Sequence, residues 1–231
     1  MGMIAKIGMV TIGQAPRVDV VPDMARLLGG ATIIERGALD GLTRREMESL
    51  APVGDDEILV TRLVDGGSVF VGKPHVTPLV QQRIDEVERE GAALTVLLCT
   101  GTFKGLRATR PLVEPDKILL GTLRAITCPG RLGVLTPSSR HVPQTEARWR
   151  SHGYDPVVVP FSPYGPGHDD GAPASAADIA DALAAGGAGL VVLDCIGFNR
   201  ETRAQLQARL GVPVLVANLL VARIVAELIG E

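Results

Sequence analysis

The amino-acid sequence predicts an α/β protein built from two similar lobes, each a parallel sheet flanked by helices. Short apolar runs rich in β-branched residues alternate with helical patterns along the chain, which is typical of parallel sheets. One stretch of the first half recurs in the second half, and a hairpin pattern interrupts the first half alone. With 231 residues, 46% of them apolar, the chain is long enough to bury such a core.

Ten apolar runs bounded by turn residues are predicted as strands. They cover 4–11, 31–35, 58–63, 68–71, 94–98, 118–120, 132–136, 156–159, 190–194 and 214–216. Helical periodicity predicts helices over 17–28, 78–90, 144–152, 174–185 and 202–210. The runs at 58–63 and 68–71 flank Asp65-Gly66, a strong turn signal, so we expect an antiparallel hairpin near 58–71 inserted in the first lobe.

The sequence contains an internal repeat. Residues 91–123 match 187–219 at a constant offset of 96, with 11 of 33 positions identical. GAALTVLLCTG and GAGLVVLDCIG each combine a helix end, a buried strand, a cysteine and a glycine, and IGMVTIGQAPR corresponds to LGVLTPSSRHVP at an offset of 125. The hairpin supplies most of the difference of 125 − 96 = 29 residues. We therefore predict lobes at 1–129 and 130–231, related by a pseudo-twofold axis, and leave open whether the helix of 217–231 packs back on the first lobe.

Composition and charge exclude several classes of protein. The net charge is −3 and no basic cluster has interleaved aromatics, which argues against a nucleic-acid partner. The most apolar segment, 212–230, contains Pro213 and Arg223, so it predicts a buried strand and an amphipathic helix instead of a membrane span. Three distant cysteines and no signal-peptide pattern indicate a cytoplasmic location without a disulfide framework. The sequence does not define the oligomeric state, and a homodimer is one option.

Candidate ligand-binding residues lie at the carboxyl ends of the predicted strands, where open parallel sheets bind their ligands. Helix N-termini at that edge present free N–H groups and positive partial charge. The loops in question are 11–17, 99–103, 136–140 and 195–199.

Cys99 and Cys195 are the predicted catalytic residues, because each follows a buried strand and precedes a helical pattern at equivalent places in the repeat. If the lobes face one another, the two thiols flank one cleft and suit removal of a proton from one face of a carbon acid and its return on the other. A helix N-terminus lowers the pKa of a thiol from its ordinary value of about 8.5. The simpler interpretation, in which each cysteine only ends a core strand, stays open. Cys128 has no counterpart in the repeat and is interpreted as structural.

Polar residues of the same loops are predicted to hold an anionic group through hydroxyl, amide and backbone N–H groups. They are Gln14, Thr100, Gly101, Thr102, Thr136, Ser138, Ser139, Gly197 and Asn199. Arg17 and Arg140 close the two equivalent loops, and each has the planar fork that clamps a carboxylate. All of these residue types are also common in turns, helix caps or on surfaces, and that interpretation stays open. Since the chain has only seven aromatic residues, the predicted partner is a small carboxylate and not a large stacked ring.

Neither a cofactor nor a metal ion is predicted. The sequence lacks a P-loop, a G-x-G-x-x-G after the first strand, a G-x-S-x-G elbow and an H-E-x-x-H. His168-Asp169-Asp170 has metal-ligating side chains, but it lies in the Pro/Gly-rich run 161–173. A solvated or lid-like loop is the favoured interpretation of that run.

Several segments resemble the AroM family. They are TIGQAPRVDVVPDM, LVTRLVDGGSVFV and LDCIGFNRETRAQL through VPVLVANLLVARIVAEL. More distantly, the two-lobed pattern is similar to the aspartate, glutamate and hydantoin racemase superfamily, which includes maleate isomerases and arylmalonate decarboxylases. This resemblance implies an Asp/Glu racemase-like fold and cofactor-independent chemistry at cysteines in an interlobe cleft, where Cys99 and Cys195 occupy the paired positions.

The chain departs from the racemases of that superfamily at several positions. Amino acid racemases typically have Asn-Thr after the first cysteine, where this chain has Thr100-Gly101. Glutamate racemases have Asp-Ser after the first strand and a histidine two residues after the second cysteine, where this chain has Thr11-Ile12 and Gly197. Asp194 precedes Cys195, and its charge would raise the thiol pKa if the two side chains approach, but not if they point to opposite faces of the strand end. The resemblance therefore implies the scaffold and the cleft and leaves the substrate open.

Together these observations predict a cofactor-independent racemase or isomerase that acts next to a carboxylate through two cysteines. Two alternatives stay open. One is an enzyme that uses a single cysteine for decarboxylation or isomerisation on the same scaffold. The other is a non-catalytic protein that binds a small carboxylate or a shikimate-pathway acid.

Overall fold

A computed structural model of the chain describes residues 6–165 and 175–231. Contacts within the chain group its residues into two units. The first unit comprises the described residues up to Leu119 together with Asn218–Glu231, and the second comprises the described residues of Leu120–Ala217. Each unit contains one parallel sheet with helices, which confirms the predicted α/β class with two lobes.

The first unit contains a four-stranded parallel sheet and a separate hairpin. Its elements are β1 (Lys6–Thr11), α1 (Val21–Ala25), β2 (Thr32–Gly37), α2 (Arg44–Glu48), β3 (Ile58–Arg62), β4 (Ser68–Gly72), α3 (Lys73–Arg89), β5 (Leu94–Leu98) and β6 (Leu112–Val113). The strand order is β2-β1-β5-β6, and every pairing is parallel. Helix α4 (Pro115–Arg124) continues the chain into the second unit.

The second unit repeats this arrangement. Its elements are β7 (Arg131–Thr136), a 3-10 turn (Ser139–His141), α5 (Val142–Ser151), β8 (Pro156–Pro160), α6 (Ala176–Ala185), β9 (Ala188–Leu193), α7 (Arg200–Leu210) and β10 (Val214–Val216). The order β10-β9-β7-β8 places β7, β8, β9 and β10 as β1, β2, β5 and β6 are placed in the first sheet. Helix α8 (Ala217–Ile229) follows β10 directly. The shared strand order supports the duplication that the sequence repeat indicates.

Burial on both faces explains why the central strands are continuous apolar runs. All five residues of β5 are buried, as are the last five of β1 and of β7. Helix α3 covers the first sheet with Val76, Val80, Ile84 and Val87, whose spacing of three or four residues forms one apolar stripe. Each such side chain contributes roughly 1.5–3 kcal/mol through its burial.

The predicted hairpin is confirmed. Strands β3 and β4 pair antiparallel, from Ile58 opposite Gly72 to Arg62 opposite Ser68. Gly66 in the turn has a φ of +88°, a conformation that favours glycine. Leu59 and Val71 bury the hairpin against the core of the first unit.

Three predictions about individual elements are wrong. The strand predicted at 118–120 lies inside α4, because three consecutive apolar residues do not distinguish a strand from a helix face, and Pro115 starts a helix there. The helix predicted over 17–28 is limited to Val21–Ala25 and is followed by turns. Helix α3 starts at Lys73, five residues before the predicted start, because its first turn uses Pro74 and continues through Pro78.

Two further elements were not predicted. The two-residue strand β6 is too short to give a pattern. Helix α2 does have a local signal, since Thr43 and Glu46 form a capping box.

Candidate active site

A cysteine lies at the carboxyl end of the same strand in both sheets. Cys99 directly follows β5, and Cys195 comes two residues after β9, the equivalent strand of the second unit. Neither cysteine forms a disulfide, and both are buried, with 7% and 6% of their surface exposed. The topology thus gives each unit one thiol at the edge where parallel sheets bind ligands.

Cys99 is surrounded by the core of the first unit. It belongs to the same buried cluster as Leu59 of the hairpin and Phe103. The backbone N–H of Gly101 donates to Cys99 Sγ at 3.4 Å, which is a favourable contact for a thiolate. A methyl group added to Gly101 would lie 3.0 Å from Leu59 Cδ2 and 3.4 Å from Cys99 Sγ, so a side chain there would crowd both neighbours.

The prediction that a helix follows Cys99 is wrong. Residues 99–111 are irregular and lead into β6. Side chains of α3 satisfy backbone groups of this segment, which an irregular loop cannot pair within itself. Lys73 Nζ donates to Thr102 O at 2.8 Å. The Gln81 side chain donates to Arg107 O at 2.8 Å and accepts from Arg107 N at 2.7 Å. Glu88 accepts from the backbone N–H groups of Thr109 and Arg110, each at 2.8 Å.

Glu88 makes the anchoring of this loop dependent on pH. Its partial burial raises the pKa, but hydrogen bonds from the Thr109 hydroxyl and from the backbone N–H groups of Arg110 and Thr109 outweigh it, so the pKa lies below its ordinary value. A carboxyl whose pKa is depressed by folding stabilises the fold above its unfolded pKa and loses that contribution as the pH falls through the folded pKa. We expect the Thr109 and Arg110 amide resonances to titrate together, with a midpoint below the ordinary glutamate value of about 4.3.

NMR titration of these two amides measures the effect. In Glu88→Gln, which keeps one carbonyl acceptor, both amides should lose the acidic titration. If both amides titrate in Glu88→Gln as they do in the wild type, a group other than Glu88 causes the titration.

The loop after β1 is held by its own side chains. Arg17 is buried, and its Nε and Nη2 donate to the two carboxylate oxygens of Asp19 at 2.8 Å each, while Nη1 donates to Thr11 Oγ1 at 3.0 Å. The planar fork of Arg17 is therefore engaged by a carboxylate of the protein itself. Gln14 Oε1 accepts from the backbone N–H of Val64, next to the hairpin turn, at 3.1 Å.

The hairpin packs on both loops at the carboxyl end of the first sheet. A methyl group added to Gly13 would lie 2.2 Å from Thr61 Oγ1 and 2.6 Å from Arg62 O, so strand β3 closely approaches the loop after β1. The same strand reaches Gly101 through Leu59. The insertion thus forms one wall of the region that contains Cys99.

Cys195 has different surroundings. The hydroxyl of Tyr164, which is itself only 7% exposed, lies 3.8 Å from Cys195 Sγ. Helix α7 begins at Arg200 and is capped by Asn199, whose Oδ1 accepts from Thr202 N at 3.0 Å. A helix therefore follows this cysteine, as predicted, and Asn199 serves as its N-cap.

The carboxylate of Asp194, next to Cys195, is bound by the protein. Asp194 is buried, forms an ion pair with Arg148 of α5, and accepts from Trp149 Nε1 at 3.0 Å. The guanidinium also lies over the Trp149 ring, 5.1 Å from its centre. The negative charge beside the thiol is thereby balanced by a cation.

Buried hydroxyls surround the end of β7. The hydroxyls of Thr136 and Thr145 share a hydrogen bond at 2.9 Å, and Ser138 Oγ lies 2.7 Å from His141 Nδ1. Of the other predicted binding residues, Thr100 is buried, Gly101, Thr102 and Ser139 are half-buried and Arg140 is exposed. The structure thus assigns local partners to Thr136 and Ser138, and the roles of this set in binding a ligand stay predictions.

Sequence reasoning missed Tyr164, His141 and the pair of Asp194 with Arg148. His141 had a local signal, the three-residue spacing from Ser138 that a 3-10 turn brings together. Tyr164 is 31 residues from Cys195 and had none.

Residues 6–165 and 175–231 contain neither a metal-binding cluster nor a membrane-spanning helix. In those ranges no group of three or more His, Cys, Asp or Glu side chains is placed to hold a metal ion. No described helix is long and apolar enough to cross a membrane. The described residues do not include His168-Asp169-Asp170, which has metal-ligating side chains, or most of the run 161–173.

Solved structures with this architecture identify the fold. Unliganded arylmalonate decarboxylase matches with a TM-score of 0.61 and 18% identity, covering 98% of this chain and 93% of that chain. Allantoin racemase from Klebsiella pneumoniae matches with a TM-score of 0.61 and 16% identity over 98% and 88% of the two chains. Glutamate racemase from Francisella tularensis in complex with D-glutamate matches with a TM-score of 0.60 and 11% identity over 99% and 82%. The chain therefore has the Asp/Glu racemase-like fold.

The family follows from the sequence. The profile described as AroM protein matches residues 7–229, nearly the whole chain, so the protein belongs to the AroM family. No curated protein matches the sequence significantly.

Proposed function

We propose that this protein is a cofactor-independent racemase or isomerase that acts at a carbon next to a carboxylate, with Cys99 and Cys195 as acid and base. One observation carries the proposal: a buried thiol follows each of the equivalent strands β5 and β9, directly after β5 and two residues after β9. The likeness to the fold of allantoin and glutamate racemases supports it. The proposal requires that both thiols reach one substrate from opposite faces.

The proposed reaction needs only proton transfers. One cysteine, as thiolate, removes the proton from the carbon, and the electron pair of the broken C–H bond delocalises into the adjacent carboxylate. The other cysteine, as thiol, protonates the opposite face and becomes the thiolate. The reverse reaction exchanges the two roles, so protons and charge balance without an oxidant or reductant.

The developing anion is assigned to hydroxyl and backbone N–H groups near the two thiols. On the first unit these are Thr100, Gly101 and Thr102, and on the second Thr136, Ser138, Ser139 and Gly197. Such donors stabilise charge best where water is excluded, which fits the burial of Thr100 and Ser138. Because the guanidinium of Arg17 is already bound to Asp19, we assign Arg17 a smaller part in binding the substrate.

The test is single substitution of each cysteine in the purified protein. Candidate substrates come from a thermal-shift screen of small dicarboxylates, hydantoins and shikimate-pathway acids. Turnover is followed as racemisation or isomerisation of the substrate, and deuterium incorporation from D₂O at the reacting carbon shows in the wild type that the proton exchanges. We expect Cys99→Ser and Cys195→Ser each to reduce turnover at least about 100-fold. Cys128→Ser is the matched control, because Cys128 precedes β7 and lines a separate cavity of about 230 Å³ in the second unit. Full turnover in both single variants would refute the two-cysteine mechanism.

A one-cysteine enzyme is the second candidate, and the asymmetry of the thiols favours it. Cys195 has a tyrosine hydroxyl and a helix start nearby, whereas Cys99 is packed with Leu59 and Phe103. In a decarboxylation the bond to the leaving carboxylate breaks, carbon dioxide departs, and the remaining carbanion takes its proton from the Cys195 thiol, which regains a proton from water. Cys195→Ser would then be inactive and Cys99→Ser active.

If neither thiol titrates with a depressed pKa in iodoacetamide alkylation and no screened acid turns over, the protein is a binding module.

A further inference from the structure

The structure points to Tyr164 as the group that activates Cys195: we propose that its hydroxyl donates a hydrogen bond to the Cys195 thiolate and stabilises that thiolate. The inference rests on the proposed function only in taking Cys195 as a reacting thiol. It assigns Tyr164 as a positioning residue that acts through the cysteine.

The first support is the contact itself. The hydroxyl oxygen lies 3.8 Å from Sγ, within reach for a sulfur acceptor, and both residues are almost fully buried. A phenol with a pKa of about 10 stays protonated at neutral pH and can donate. A hydrogen bond to an ionised sulfur favours the thiolate, and the effect is stronger where water is excluded.

The second support is the space that Gly197 leaves for the tyrosine. A methyl group added to Gly197 would lie 2.9 Å from Tyr164 Cε1 and 3.1 Å from its hydroxyl. It would also lie 3.2 Å from Pro163 Cγ. Any larger residue at position 197 would displace the tyrosine, so Gly197, two residues after Cys195, permits the contact between Tyr164 and the thiol.

The third support is the anchoring of residues 161–164. The rings of Phe161 and Phe198 stack with centres 6.2 Å apart and planes 4° from parallel. Phe161 N donates to Thr136 O at 2.8 Å, and Tyr164 N donates to Ser162 Oγ at 3.2 Å. These contacts tie the tyrosine segment both to the end of β7 and to the loop that contains Cys195.

Charged and titratable groups on neighbouring elements either contact other residues or are exposed to solvent. Asp194 precedes the cysteine and is held by Arg148 and Trp149. His141 of the 3-10 turn lies against Ser138. At the start of α7, Arg200 and Glu201 are exposed. Tyr164→Phe changes none of these side chains, so the substitution removes only the hydroxyl.

The test measures how the alkylation of each cysteine depends on pH. The full chain is treated with iodoacetamide between pH 5 and 10, and modification of Cys99, Cys128 and Cys195 is followed by peptide mass spectrometry. In Tyr164→Phe we expect the Cys195 profile to move to higher pH and its rate at pH 7 to fall about three- to tenfold. The profiles of Cys99 and Cys128 should not change.

Tyr154→Phe is the matched control, because the Tyr154 ring packs edge-on against Trp149 with centres 5.6 Å apart and lines the separate cavity. It should leave the Cys195 profile unchanged. Gly197→Ala is the second variant, expected to move the profile in the same direction by displacing the tyrosine. If Tyr164→Phe and Gly197→Ala both give the wild-type Cys195 profile, the inference is overturned.

The readout requires no substrate, so it is separate from the test of the proposed function. A shifted Cys195 profile together with full turnover in Cys195→Ser would refute the catalytic role of Cys195 but keep the inference that Tyr164 stabilises its thiolate. Loss of turnover in Cys195→Ser, together with an unshifted profile in Tyr164→Phe and Gly197→Ala, would support the proposed function and overturn the inference.

Discussion

Replacing Arg148 by methionine is expected to lower the free energy of unfolding by about 3 kcal/mol or more. The substitution keeps the aliphatic cover of the Trp149 ring but removes the cation that pairs with Asp194. Only 2% of the Asp194 side chain is exposed, so its carboxylate would be left in the interior without a balancing cation. Urea denaturation of the purified variant measures the change.

The double variant Arg148→Met with Asp194→Asn separates this cause from a general packing defect. Asparagine is neutral and its carbonyl can still accept from Trp149 Nε1, so we expect the double variant to be more stable than Arg148→Met alone by about 1–2 kcal/mol. Arg150→Met is the matched control. Its exposed pair with Glu146 on the same helix should contribute less than about 1 kcal/mol. A loss in Arg148→Met no greater than in Arg150→Met would contradict the interpretation.

The parallel sheets could be predicted because their central strands are buried on both faces. Such strands are continuous apolar runs whose signal is strong without any knowledge of partners. The predicted bounds 94–98 and 214–216 coincide with those of β5 and β10. The hairpin was equally predictable, because Asp65-Gly66 fixes the turn and alternation fixes the flanking strands.

The internal repeat predicted a helix after Cys99 because one follows Cys195, but the two copies differ there. Seven of its 11 identities fall within 91–101 and 187–197, the segments that contain β5 and β9. At the offset of 96, the helix cap Asn199 corresponds to Phe103, which cannot cap a helix and is buried in the core. The first copy therefore forms a loop held by α3 where the second forms α7. The ungapped alignment sets these two residues against each other, so the difference was visible in the sequence.

The positions of the cysteines could be predicted, but not what surrounds them. Their placement follows from strand ends, which are local. Tyr164 and Arg148 reach Cys195 and Asp194 across 31 and 46 residues, and no local pattern encodes either contact. Tertiary packing alone determines them, so the two thiols, alike in sequence, differ in their environments.

Replacing Gly13 by alanine is expected to destabilise the first unit by about 1–3 kcal/mol and to loosen the hairpin. The added methyl group would lie 2.2 Å from Oγ1 of the fully buried Thr61 and 2.6 Å from Arg62 O, which cannot move without shifting β3. Since β3 also packs on Gly101, the shift should extend to the loop that follows Cys99. Hydrogen exchange of β3 and β4 amides, together with urea denaturation, measures both effects.

Gly121→Ala provides the matched control for this substitution. Gly121 lies in α4, and a methyl group there would have no neighbour within 4 Å among the described residues. Alanine in a helix interior should raise stability by up to about 1 kcal/mol, opposite in sign to the effect at Gly13. If Gly13→Ala unfolds at the wild-type urea concentration with unchanged exchange in β3, the hairpin is not held by its close approach to the loop after β1. If exchange increases in β3 and in residues 99–103 together, the hairpin and the Cys99 loop form one cooperative wall of the candidate site.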